Sequence, residues 1–139
     1  MDKQKAAFNI ISHALPLVPF EGWTQATLNK AAAAAGYKAT DAIRVFPGGA
    51  TQAVNAYLRF CDAAMVQALS GYHLPTMKVR ERVTLAVRLW LETEAPYREA
   101  LRKAVALQAL PLNAHHAMAS LYHTVDEIWH TIGDKSTDF

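Results

Sequence analysis

A chain of 139 residues is long enough for one domain with a core of its own. With 52% hydrophobic and 19% charged residues it is not a disordered chain, and a formal net charge of +2 is too small to argue for nucleic acid by itself. A single cysteine, Cys61, excludes an internal disulfide framework and any multi-thiolate metal site, and fits a reducing compartment. No apolar run approaches the roughly 20 residues that cross a bilayer, and Met1-Asp2-Lys3-Gln4-Lys5 lacks the apolar core of a signal peptide. The expected location is therefore cytoplasmic.

Strand signals are nearly absent, alanine is abundant, and apolar residues recur at three- and four-residue spacing, so the expected fold class is all-α. A first helix is predicted over Lys3–Leu15, with Phe8, Ile11 and Leu15 on one face and Pro16 and Pro19 ending it. Thr24 can cap a second helix through Ala35, which Gly36 stops. A short third helix, about Thr40–Val45, ends before Pro47-Gly48-Gly49. These three helices outline a helix-turn-helix module over residues 1–49, and residues 50–139 form a helical bundle with it as one compact unit. In the bundle, Ala50–Leu69 presents Val54, Tyr57, Leu58, Cys61, Met65 and Leu69 at helical spacing. Pro75 separates it from Val79–Glu94, whose stripe is Val83, Ala86, Val87, Trp90 and Leu91. Pro96 opens a helix to Leu110, and Pro111 precedes a last helix over Asn113–Ile132, carrying Leu121, Val125, Ile128, Trp129 and Ile132.

The helix-turn-helix outline invites a DNA-binding reading, but Thr24–Gly49 holds only Lys30, Lys38 and Arg44, opposed by Asp41. Its third helix offers one arginine and no Asn, Gln or Lys for base edges. A scaffold role is favoured, with a TetR-like transcriptional regulator as the alternative. His123, Glu127 and His130 share a helix face, and Glu127-Ile128-Trp129-His130 matches the Glu-x-x-His pair of di-iron bundles. No second copy exists to complete such a site, so no metal is expected. His115 and His116 are expected at the surface near a helix start. Cys61 sits in an apolar stripe, where a buried, inert thiol is the usual case. Ser12-His13 point in different directions, and Pro47-Gly48-Gly49 is not followed by the Lys-Ser/Thr of a phosphate loop, so no active site is assembled. Tyr57, Leu58, Met65, Val87, Trp90, Leu91, Leu101 and Leu107 can either pack as ordinary core or line a cavity between helices.

Two segments carry a family resemblance: Val18-Pro19-Phe20-Glu21-Gly22-Trp23-Thr24, and Leu110-Pro111-Leu112-Asn113 followed by Val125-Asp126-Glu127-Ile128-Trp129-His130 and Gly133-Asp134-Lys135-Ser136-Thr137-Asp138-Phe139. The chain resembles the lipid-binding accessory proteins of ubiquinone biosynthesis, of an alphaproteobacterial type. The resemblance implies a TetR-like fold without DNA recognition, no catalysis and no cofactor beyond a bound isoprenoid or phospholipid. It further implies a surface of Leu110, Pro111, Asn113, Asp126, Trp129 and His130 that docks the di-iron demethoxyubiquinone hydroxylase. Members of the family continue past the Ser-Thr-Asp-Phe element into further helices that complete the lipid pocket, pair two copies and touch the membrane. This chain is thus expected to be a truncated form, bacterial and cytoplasmic, in contact with the inner membrane or with a second copy.

Overall fold

The computed structural model describes residues 2–133, and all eight α-helices of that span follow the punctuation written by proline and glycine. The class is all-α, with no strand among the described residues. Helix α1 (Lys3–Ala14) is capped by Asp2, whose carboxylate accepts the backbone N–H groups of Gln4 and Lys5 at 3.1 and 3.3 Å. Its core face is Ala6, Ile10, Ile11 and Ala14. Phe8, expected on that face, is instead 54% exposed and meets Phe60 edge-on at 5.3 Å, because the alanine side of α1 is the one narrow enough to lie against its neighbour. The first helix ends close to the expected Leu15. After Pro16 the chain makes one further, unexpected turn, α2 (Val18–Glu21), with Pro19 in its first turn, where proline is tolerated.

Gly22 follows with φ 74°, a left-handed conformation that turns the chain towards Trp23. Thr24 then caps α3 (Gln25–Ala34), its hydroxyl oxygen accepting the Thr27 N–H at 3.1 Å. Gly36, at φ 89°, closes α3, and α4 (Asp41–Val45) completes a module in which α1, α3 and α4 pack on one another. Ala31 and Ala32 are fully buried there, so methyl groups alone separate the helices.

The long α5 (Ala50–Leu69) touches α1 on one side and α6 (Val79–Thr93), α7 (Arg98–Gln108) and α8 (Ala114–Thr131) on the other. Short 3₁₀ turns at Leu74–Thr76, Ala95–Tyr97 and Pro111–Asn113 each contain one of the expected prolines. One core cluster joins α1, α3, α4 and the first half of α5 to Ala100 and Ala104 of α7. A second joins Met65 and Leu69 of α5 to Leu85, Ala86 and Leu89 of α6 and to Ile128 and Ile132. The expected stripe on α6 is rotated accordingly: Leu85, Ala86 and Leu89 are buried, whereas Val87 and Leu91 are exposed. Apolar residues cover more than half of this helix, and the knobs of α5 rather than α6's own pattern choose the buried side. The Val18–Thr24 element is held to α7: the Trp23 indole donates to the Ala100 carbonyl at 3.1 Å, and Lys103 Nζ to the Pro19 carbonyl at 3.0 Å.

Candidate functional site

Between α5, α6, α7 and α8 lies an apolar groove of about 380 Å³. Its walls come from Leu58, Val87, Trp90, Leu91, Val105, Leu121 and Ile128, with Gln108, Ser120 and Thr124 supplying its polar positions. The volume falls in the range of about 300–1,000 Å³ typical of ligand sites. Of the expected cavity residues, Leu58, Val87, Trp90 and Leu91 converge on the groove. The other expected residues are not brought to it. Tyr57 is 1% exposed on another face of α5, stacked on Trp23 at 5.5 Å, and Met65 is fully buried in the second core cluster. Leu101 and Leu107 pack against the first cluster from α7. The reason is helical phase, because α5 is apolar on two faces and serves two different neighbours.

Beneath the groove runs a polar network that the sequence reading missed. Asp62, 1% exposed, accepts four hydrogen bonds. Its Oδ1 takes the Trp90 indole N–H and the Thr124 hydroxyl, both at 2.8 Å. Its Oδ2 takes His123 Nδ1–H at 2.7 Å and Arg59 Nε–H at 3.2 Å. Arg59 also donates to the Ser120 carbonyl at 3.3 Å. Further along, the Gln108 amide donates to Asn55 Oδ1 at 2.7 Å and to the Ser120 hydroxyl at 2.9 Å, while Asn55 donates to His116 Nδ1 at 3.1 Å. A signal was present in the sequence. Asp62 shares the core phase with Leu58, Cys61, Met65 and Leu69, where a carboxylate is stable only if neighbouring helices supply donors.

Helix α8 therefore sits on the bundle with an unusual polarity. Its inner side is largely polar, and only Ser120 and Ile128 are buried within the helix. Met118, Tyr122, Val125 and Trp129, at i, i+4, i+7 and i+11, form an apolar row that faces outwards. The expected docking residues fall at the two ends of this row. Leu110 and Pro111 are exposed at the α7–α8 corner, and Asp126, Trp129 and His130 are exposed on the last turns. Helical rise separates Asn113 from Trp129 by about 24 Å. Asn113 itself turns inwards, its amide donating to the Leu107 carbonyl at 2.8 Å. His130 folds back on the Asp126 carbonyl at 2.9 Å, and this bond, with the nearby Asp126 carboxylate, raises its pKa above the ordinary histidine value.

His123 is committed to Asp62 and His130 to Asp126, and no group of three or more His, Cys, Asp or Glu side chains among the described residues is arranged to hold a metal ion. Burial raises the pKa of the Cys61 thiol, which leaves it protonated and unreactive. In the helix-turn-helix module Lys30 pairs with Glu21, and Arg44 with Asp41 at 3.6 Å. The Asp134–Phe139 part of the motif lies outside the described residues.

A family model described as COQ9 matches residues 114–139, which include the whole of α8. "Ubiquinone biosynthesis protein COQ9, mitochondrial" of Drosophila melanogaster is 32% identical over 134 residues, covering 94% of this chain and 41% of that protein. A "probable ubiquinone biosynthesis protein coq9, mitochondrial" of Dictyostelium discoideum is 28% identical over 94% of this chain and 44% of its own. The Homo sapiens COQ9 protein is 25% identical over 99% of this chain and 45% of its own. The chain thus spans a little under half the length of these curated relatives. They overturn the expected location in a bacterial cytoplasm, because they are named as mitochondrial proteins of eukaryotes. That expectation leaned on a missing apolar leader, which says nothing about organelles whose targeting segments are amphipathic. Similarity runs along nearly the whole chain, and the family match falls on the helix that carries the outward row, so the chain is similar to COQ9 proteins of ubiquinone biosynthesis.

Proposed function

We propose that this chain serves ubiquinone biosynthesis without catalysing a step itself, by holding an isoprenoid or quinone lipid and presenting it to the di-iron hydroxylase that acts on demethoxyubiquinone. The observation that carries the reading is the α5–α8 groove, whose walls are aliphatic and aromatic and whose few polar groups are already bonded within the protein, Gln108 to Ser120 and Thr124 to Asp62. Such a site favours a long apolar chain over a polar metabolite, because a polar ligand would lose water and find few free partners. The names of the relatives support the pathway. The outward row of α8, ending at Trp129, supports docking, since an exposed tryptophan beside aliphatic neighbours is a common interface anchor.

Mass spectrometry of organic extracts from the purified protein tests the first half. Isoprenoid or acyl lipid is expected in the native protein and strongly reduced in Leu121→Glu, which places a charge at the groove wall. Extracts without lipid from both proteins would remove the lipid function. For the second half, Trp129→Ala is expected to weaken hydroxylase binding by about 2 kcal/mol, read by calorimetry. Unchanged affinity would move the docking surface elsewhere.

A further inference from the structure

A second cleft, of about 320 Å³, opens on the opposite face of α5, between α1 and the α6–α7 corner. Its chemistry differs from that of the groove. Phe8, Phe60, Tyr57 and Tyr97 supply aromatic walls, and Glu94 places a carboxylate among them. Phe8 and Phe60 stand at 82° to each other with centroids 5.3 Å apart, so two ring surfaces make a corner. Phe8 and Tyr97 are 54% and 39% exposed, so the walls are open to a solute. One carboxylate oxygen of Glu94 accepts the Tyr57 hydroxyl at 2.7 Å. Among the described residues no Lys, Arg or His lies within ion-pair distance of Glu94, whose other close polar neighbour is the buried, protonated Cys61 thiol.

We infer that this cleft binds an organic ammonium group. Aromatic faces carry negative potential and attract a soft, weakly hydrated cation, and a carboxylate beside them completes its neutralisation. A simple apolar ligand would leave Glu94 unanswered, and an anion would be repelled by it. The Tyr57 bond orients the carboxylate in the cleft wall, and its negative charge has no cationic side chain to answer it. An ammonium group of this kind occurs in free amines such as choline and in the headgroup of choline lipids, and the cleft recognises the chemistry they share.

Calorimetric titration of the full 139-residue chain with choline, and with its neutral isostere 3,3-dimethylbutan-1-ol, tests the proposal. Choline is expected to bind and the isostere to bind at least roughly fivefold more weakly. Glu94→Gln, which keeps an acceptor for Tyr57, and Phe60→Leu are each expected to weaken choline by a similar factor, with circular dichroism confirming that both variants are folded. Co-sedimentation with phosphatidylcholine against phosphatidylglycerol vesicles assigns the source. Glu94-dependent capture by the choline lipid points to a headgroup, and binding of free choline alone points to a soluble amine. Equal affinity for the isostere, no binding of choline, or variants that bind as the native chain does would overturn the inference.

Discussion

A carboxylate at a core position of an apolar helix has to be met by donors from its neighbours, and at Asp62 those donors come from α5, α6 and α8 together. Asp62→Ala strands the Trp90 indole and the Thr124 hydroxyl at once, while Arg59 and His123 can still reach water. The expected loss is about 3 kcal/mol in urea unfolding, and Asp62→Asn, which keeps one carbonyl acceptor, should lose less. Equal losses for the two variants would mean that charge rather than hydrogen bonding holds the hub. His130 illustrates the opposite case of an exposed group. Its raised pKa means that the contribution of its protonated form is complete below the ordinary histidine range and fades as pH climbs through the raised value. NMR titration is expected to place it above an unperturbed histidine. Asp126→Asn should lower it only in part, because the larger cause is the Asp126 carbonyl, which that substitution retains. These residue-level features were the least legible in the sequence. A partner three helices away leaves no local trace, apart from the anomaly of Asp62 in an apolar phase.

Helix boundaries were the most legible feature, because caps and stops are local chemistry. Thr24, Gly36, Pro47, Pro75, Pro96 and Pro111 each mark the edge of an element or the turn beside it. Thr24 does more than start α3, since its hydroxyl also meets that of Thr27 at 2.9 Å, and Thr27 is fully buried. Thr24→Ala is expected to cost about 1–2 kcal/mol in thermal or urea unfolding, at the upper end for a cap, because it also strips a buried hydroxyl of its partner. A cost below roughly 0.5 kcal/mol would show water replacing that oxygen. Helix phase was less legible than helix extent. Val87 and Leu91 read as the stripe of α6, yet α5 turns Leu85 and Leu89 inwards and leaves those two for the groove. A helix apolar around most of its circumference does not choose its own inner side.

At the scale of the molecule, the all-α class followed from composition and spacing, and part of the groove followed from the aliphatic run on α5 and α6. Its α7 and α8 walls did not, since Val105, Leu121 and Ile128 gain meaning only once the helices are arranged. The mounting of α8 has a consequence of its own. Apolar packing tolerates a helix rolling a few degrees, because dispersion has no preferred direction, whereas hydrogen bonds lose strength quickly when misaligned. Ser120, His123 and Thr124 therefore act as keys in slots, fixing the rotation of α8 about its axis. One residue inserted into the helix after Thr124 would leave those keys seated and swing everything beyond them by about 100°. Val125 and Trp129 would then leave the line of Met118 and Tyr122, so the outward row would be cut in two, and Ile128 and Ile132 would turn away from the second core cluster.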